Sequence, residues 1–410
     1  MPYEKSEKTS PKTATISIGT QPSIQLDSST CYFLKKKGSQ SPAVPEISRP
    51  YKPLDQIHMN RHDEFFIALG KKTLGEKRHH VFVMLGVMKE GKPIFLARLG
   101  KSNIIDSDVR ALSTSEGALE RLNTLEQTNQ SERLKLRKEI IQGHIKVCMK
   151  MSFFHTEAEL QNESLHPYGP ISYSAYAIPY EQYKQFLKVI PFIQKITEIS
   201  CYQPIEESDD TIIMEKRGFE PASDLNGANE QLQGIVERSH YLSLANNCRH
   251  TAIELTEYTL GISHLPDNVS RFFTNLPVSA NFSFGVPEEY FYVFPLPPDG
   301  FAASGEKKAI LIQIYQRMEN LLKKDPYGEN TIQKFEALKK LYNEQAGIPN
   351  NDLQQALDSI KRWKTTYQDV VCQLRAQSLL GKLFVWTSST KAMADDIEHT
   401  IEKRLNVLQG

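Results

Sequence analysis

The chain has 410 residues, 40% of them hydrophobic and 24% charged, which gives room for two or three domains and an ordinary water-exposed surface. Lys plus Arg (49) balances Asp plus Glu (49), so no global field draws the chain to nucleic acid or an anionic membrane. The five cysteines, Cys31, Cys148, Cys201, Cys248 and Cys372, form no CxxC pair and read as reduced thiols of a cytosol-like compartment.

Residues 1–55 are rich in Ser, Thr, Lys and Pro, with short apolar islands such as Tyr32-Phe33-Leu34, the composition of a disordered arm. The opening Met1-Pro2-Tyr3-Glu4-Lys5 is too polar for a secretory signal, and no apolar run approaches bilayer-spanning length. A soluble, cytoplasmic-type protein is expected, one that would leave its cell only by another route. Glu64-Phe-Phe-Ile-Ala-Leu69 has the length and bulk of a buried strand. His58 and His62, four apart beside Asp63, are spaced to share a helix face. Together with His79 they are a candidate metal set, but no convincing carboxylates join them and no metal is expected.

Between His79 and Leu99, two runs of branched and aromatic residues flank Glu90-Gly91-Lys92-Pro93, which predicts a β-hairpin. On its first strand His80, Phe82 and Met84 share one face and His79, Val81 and Val83 the other, so one of the two histidines must point inward. Leucines among charges predict helix over 107–142, and residues 143–151 alternate as a half-buried strand would. Ile171–Ile178 predicts another strand, followed by a helix through Tyr183, Phe186 and Ile190 that stops at Pro191. Residues 209–216 read as a short strand, 220–235 as a polar loop, and 264–300 as an ordered wrapping segment or a strand against the core. From about 305 onward the pattern is helical only. Its stripes are Ile310/Ile314/Met318/Leu321, Ile332/Phe335/Leu338/Leu341, Leu353/Leu357/Ile360/Leu374 and Ile397/Ile401/Leu405/Leu408. No Gly-rich phosphate loop of either common type is present, so no nucleotide cofactor is expected.

The stretch with chemistry in it runs from Tyr241 to Ala252 and leads into a helical pattern that ends at Gly261. Asn246 or Asn247 is the candidate N-cap, and Gly261 the left-handed C-cap. Cys248, Ala252, Leu255 and Thr259 fall on the face turned toward the core. A thiol at a helix start feels the positive end of the dipole and the unpaired N–H groups, which both favour the attacking thiolate. A lone inward cysteine is ordinarily packing; a histidine partner is what would make it a nucleophile.

Two motifs give that pair a context. Asn247-Cys248-Arg249-His250, with Cys248 seven residues after Tyr241 and a helix ending in Tyr-x-x-Gly, resembles the Asn-Cys-Glu-His-Phe element of the lecithin:retinol acyltransferase and NlpC/P60-like families. His80-Val-Phe-Val-Met-Leu-Gly86 is similar to their His-Trp-Ala-Ile-Tyr-Val-Gly strand, with glycine six residues after histidine in both. The order, histidine strand first and cysteine helix later, is that of the circularly permuted branch of the papain-like enzymes. The resemblance implies an α+β module of antiparallel sheet plus cysteine helix. It implies Cys248 as nucleophile, His80 rather than His79 as base, and the Cys248 N–H, helped by Asn247, as oxyanion donor; His250 would be structural or site-lining. The family's third, orienting residue comes from the strand after the hairpin turn, where this chain has Ile94, Phe95, Leu96 and Ala97; Asn103 and Asp106 just beyond are the candidate substitutes.

The expected organisation is an arm over 1–55, a permuted papain-like module over 56–300 and an all-α region over 301–410. That layout is similar to secreted bacterial effectors that act on host proteins, and the charged tail 395–404 suits an export signal or a plain amphipathic helix. The expected function is a thiol-dependent hydrolase or acyl transferase acting on an amide or isopeptide bond, or on an ester. A protein substrate or partner is expected, with a lipid substrate left open, no nucleic acid and no transmembrane segment. The alternative is an inert scaffold that binds a host or partner protein through its C-terminal helices. The separation of the Cys248 sulfur and the His80 ring discriminates the two.

Overall fold

Branched and aromatic runs such as Phe65–Leu69 and Val81–Leu85 cannot leave either face in water, and they form the middle of an antiparallel sheet covered on both sides. The computed structural model describes residues 56–74, 78–103, 156–163, 170–195, 198–222, 229–243, 246–266, 269, 275–283, 286–303, 305–373 and 388–409. The expected arm over 1–55, the helix over 107–142, the strand over 143–151, and Asp106 and Leu374 lie outside the described residues. Everything described belongs to one unit made of residues 35–105 and 146–410.

In chain order the strands are β1 (Gln56–Asn60), β2 (Glu64–Leu74), β3 (Arg78–Lys89), β4 (Lys92–Asn103), β5 (Thr156–Asn162) and β6 (Ile171–Ile178). Helix α1 (Tyr180–Ile193) leads to β7 (Ser200–Glu207) and β8 (Thr211–Gly218), then α2 (Glu230–Ser239), β9 (Tyr241–Leu242) and α3 (Cys248–Leu260). A wrapping segment carries β10 (Val278–Ala280), β11 (Phe282–Ser283), β12 (Val286–Pro287) and β13 (Val293–Phe294). Helices α4 (Gly305–Lys324), α5 (Glu329–Gly347), α6 (Leu353–Thr366), α7 (Gln368–Cys372) and α8 (Ser389–Gln409) complete the chain. The main sheet is ordered β10-β6-β2-β3-β4-β5-β9, all neighbours antiparallel, with β13 added parallel to β6. A second sheet is ordered β1-β8-β7 and a third is the β11-β12 pair. This is a mixed α+β architecture with an antiparallel sheet and a helical C-terminal region.

The hairpin lies where the pattern placed it. β3 and β4 close on the pair Lys89–Lys92 across a two-residue turn in which Glu90 (φ 52) and Gly91 (φ 75) both take positive φ, the twist that suits flanking strands. One face of the sheet packs on α1 and α3: Phe65 meets Tyr180 and Tyr183 in tilted ring contacts with centroids 5.2 and 5.8 Å apart. The other face is covered by the aromatic wrapping segment, in which Phe291 meets Phe66, Phe95 and Tyr173. From that segment Tyr292 and Phe294 reach on to Phe335 of α5 at 4.8 and 5.2 Å, so the core of the sheet continues into the helices.

Three local readings are corrected. The α1 helix passes through Pro191 to Ile193, because a proline in the last turn forfeits a single backbone bond while buried Ile190 and Ile193 hold that turn in place. Residues 230–235 are helix, not loop. Asn229 caps α2 by accepting from the Leu232 N–H at 2.8 Å, and buried Leu232, Ile235 and Val236 dock it despite its polar composition. His58 and His62 share no helix face: His58 is an exposed residue of β1, between buried Ile57 and Met59, and His62 sits in the turn that follows. Among the described residues no three His, Cys, Asp or Glu side chains gather in a metal-holding group, and no helix is long and apolar enough to cross a membrane.

Candidate active site

The site forms where two strands part. β3 pairs with β2 from Arg78 onward, but its pairing with β4 begins only at Phe82, opposite Gly100; past that point Lys101 of β4 pairs with Leu160 of β5. His80 and Val81 therefore stand at a fork. Helix α3 starts there. Asn247 is its N-cap: Oδ1 accepts the Arg249 N–H at 3.0 Å and lies 3.1 Å from Nδ1 of His250. Gly261 ends the helix at φ 67, where a Cβ would be strained, and the Ile262 N–H reaches back to the Glu257 carbonyl at 3.1 Å. Buried Ala252, Leu255 and Thr259 seat the inner face of α3, which leaves partly exposed Cys248 at its tip.

The Cys248 thiol shares a hydrogen bond with the His80 ring and accepts another from the Val81 backbone N–H, at the edge that β4 has vacated. His80 is buried, 4% exposed, and stacks on Phe82. Its Nε2 is bonded to Oε1 of Glu163, which leaves Nδ1 as the ring nitrogen for the sulfur. The other carboxylate oxygen of Glu163, Oε2, accepts from Lys72 Nζ of β2 at 2.5 Å, and both side chains are almost fully buried. Glu163 follows β5 directly and is anchored by its own N–H on the Arg98 carbonyl at 3.0 Å. To reach His80 its carboxylate passes over β4 at Gly100. A Cβ on Gly100 would stand 1.9 Å from Glu163 Oε1 and 2.5 Å from His80 Nε2, so only glycine lets the pair form.

These groups set one another's charge. Burial alone would pull His80 down, but the Glu163 carboxylate and the Cys248 thiolate together raise it well above the usual imidazole range. Burial would push Cys248 up; the imidazolium and the Val81 N–H outweigh it and hold the thiol below its ordinary value. Glu163 is likewise drawn down, against burial, to about 2 by His80 and Lys72. Each charge therefore favours the other: the imidazolium form of His80 draws Cys248 toward thiolate, and the Glu163 carboxylate favours the imidazolium.

The structure thus brings together Cys248, His80 and Asn247, and it places exposed His79 on the far side of the strand. The expected orienting partner is corrected. The residue on His80 Nε2 is Glu163, which the sequence pattern did not single out; Asn103 ends β4 opposite Ala158, and Asp106 lies outside the described residues. Glu163, Lys72 and Lys101 escaped the sequence reading because each is a single charge in a run with no motif of its own. A usable signal was Gly100, a glycine in a strand interior, which marks a close approach. Comparison with protein-family models, with curated proteins and with solved structures finds no match.

Proposed function

We propose that this protein is a thiol-dependent hydrolase or acyl transferase built on a permuted papain-like module, with Cys248 as nucleophile, His80 as acid and base, and Glu163 as the orienting carboxylate. The observation that carries this reading is the chain of contacts Cys248–His80–Glu163, a thiol at a helix start in hydrogen-bond contact with an imidazole whose other nitrogen is fixed. An inert scaffold has no need of a buried histidine bonded between a thiol and a carboxylate.

The steps follow from the geometry. The Cys248 sulfur bonds to a carbonyl carbon as the C=O electron pair moves to oxygen. That oxyanion is stabilised by the Cys248 N–H, which belongs to the first turn and has no partner within the helix, with the Asn247 side chain beside it. Nδ1 of the imidazolium gives its proton to the leaving amine or alcohol as that bond breaks, and a thioester remains. The neutral ring then takes a proton from water or from an acceptor nucleophile, which attacks the thioester and restores the thiolate. Glu163 keeps Nε2 protonated and the ring aligned throughout. The substrate class proposed is an amide or isopeptide bond of a protein, with an ester second. An electrophilic acyl probe tests the assignment: it should label the wild type at Cys248 and leave Cys248→Ala unlabelled with its circular dichroism intact. Labelling that survives in the variant refutes it.

A further inference from the structure

Lys101 lies one residue beyond Gly100 on β4, and so faces the opposite side of the sheet from the His80–Glu163 contact. It is 3% exposed, and its ammonium uses all three donors on protein acceptors: the Arg238 carbonyl at 2.6 Å, Asn246 Oδ1 at 3.1 Å and Thr251 Oγ1 at 3.1 Å. Asn246 in turn donates to the Arg238 carbonyl at 2.7 Å and the Tyr241 carbonyl at 3.0 Å. The end of α2, strand β9 and the first turn of α3 therefore converge on one cation. Thr251 is three residues after Cys248, on the same turn.

We propose that Lys101 is a positioning residue of this site, its buried ammonium tethering the first turn of α3 to β4 and holding a fixed positive charge beside the Cys248 thiolate. An apolar side chain would fill this place without the desolvation that an ammonium suffers, so the charge itself is what the position retains. The charged groups around it are Cys248 and Glu254 on α3 and Arg238 on α2, with Arg238 Nε paired to Glu254 at 3.1 Å; the Tyr241 ring lies 5.8 Å from Nζ, and His240 caps α2 nearby. Burial draws Lys101 down to about 8, with Cys248 and Glu254 opposing, so it remains mostly charged at neutral pH.

The inference rests on the Cys248–His80 reading, and one experiment separates the two. The pH profile of Cys248 alkylation by iodoacetamide is followed on the full chain by mass spectrometry of the Cys248 peptide. In the wild type the midpoint should lie below that of a free thiol, about 8.5. In Lys101→Met it should move up by about one pH unit, slowing alkylation about tenfold at pH values well below the wild-type midpoint. A wild-type midpoint at the ordinary thiol value overturns the proposed catalytic pair. A low wild-type midpoint that is unchanged in folded Lys101→Met overturns the role of Lys101 alone. Should Lys101→Met fail to fold, Thr251→Val decides, because it keeps the charge and removes one anchor. The midpoint should then hold while amide exchange of residues 249–252 quickens several-fold; unchanged exchange overturns the tether.

Discussion

His80 is where the charges of the site meet, since one ring nitrogen answers to the sulfur and the other to Glu163. Removing the ring takes away the main group that offsets burial at Cys248 and leaves the Val81 N–H and the more distant Lys101 charge. His80→Ala should move the alkylation midpoint of Cys248 up to or above the ordinary thiol value, and a midpoint that stays low would remove His80 from the pair. Glu163→Gln keeps the shape and loses the charge that holds the imidazolium, so turnover of an acyl substrate should fall about a hundredfold while KM changes little. Stability should carry the same signature. A carboxylate drawn down to about 2 contributes fully above the unfolded glutamate value, about 4.3, and that contribution is lost as pH falls toward 2. Urea midpoints from pH 5 to 2 should therefore drop more steeply for the wild type than for Glu163→Gln; parallel curves would mean that Glu163 is not held as an ion in the folded state. His80 has the opposite sign. Its folded value is raised, so its contribution is present at low pH and fades in the alkaline range.

Two elements, the β3–β4 hairpin and helix α3, were legible because their signals are local. Alternation fixes which residues of β3 share a face, two positive-φ residues close the turn, and an asparagine and a glycine bound α3. The reach of Glu163 across β4 was not legible. It depends on β4 leaving β3 at Gly100 and on a strand that follows only after 104–155, a distance over which no periodicity carries register. Gly100→Ala tests this element directly. The added methyl must displace either the carboxylate or the imidazole, so activity should fall at least tenfold while overpacking costs about 1–3 kcal/mol of stability. A fully active Gly100→Ala enzyme would show that the crossing is not needed. Helix α2 was missed for a different reason: its apolar face is only three residues wide, and it is packing against the sheet and α3 that makes it helical.

Across the whole molecule, the helical region is joined to the sheet through an aromatic seam. Phe335 of α5, fully buried, lies against Tyr292 and Phe294 of the wrapping segment, and the Tyr342 hydroxyl donates to the Leu296 carbonyl at 2.7 Å. Buried Lys339 of α5 pairs with Glu64 of β2 at 2.5 Å. Phe335→Ala should cost about 3–5 kcal/mol and lower the unfolding midpoint of sheet and helices together. Separate transitions by near-ultraviolet and far-ultraviolet dichroism would show instead that the helices are an independent unit.

By itself the sequence determined the α+β composition, the hairpin, the capped cysteine helix, the helical run after 305, and the choice of Cys248 and His80 as the pair to examine. Each of those follows from side chains a few positions apart, where the geometry of a single strand or helix fixes what can meet. Only the tertiary structure decided that the sulfur and the imidazole share a fork between strands, that Glu163 crosses a bare glycine to hold the ring, and that Lys72 and Lys101 are buried beside them. Those contacts join residues far apart in the chain, and they exist because burial of the sheet on both faces makes charged groups there find their partners within the protein.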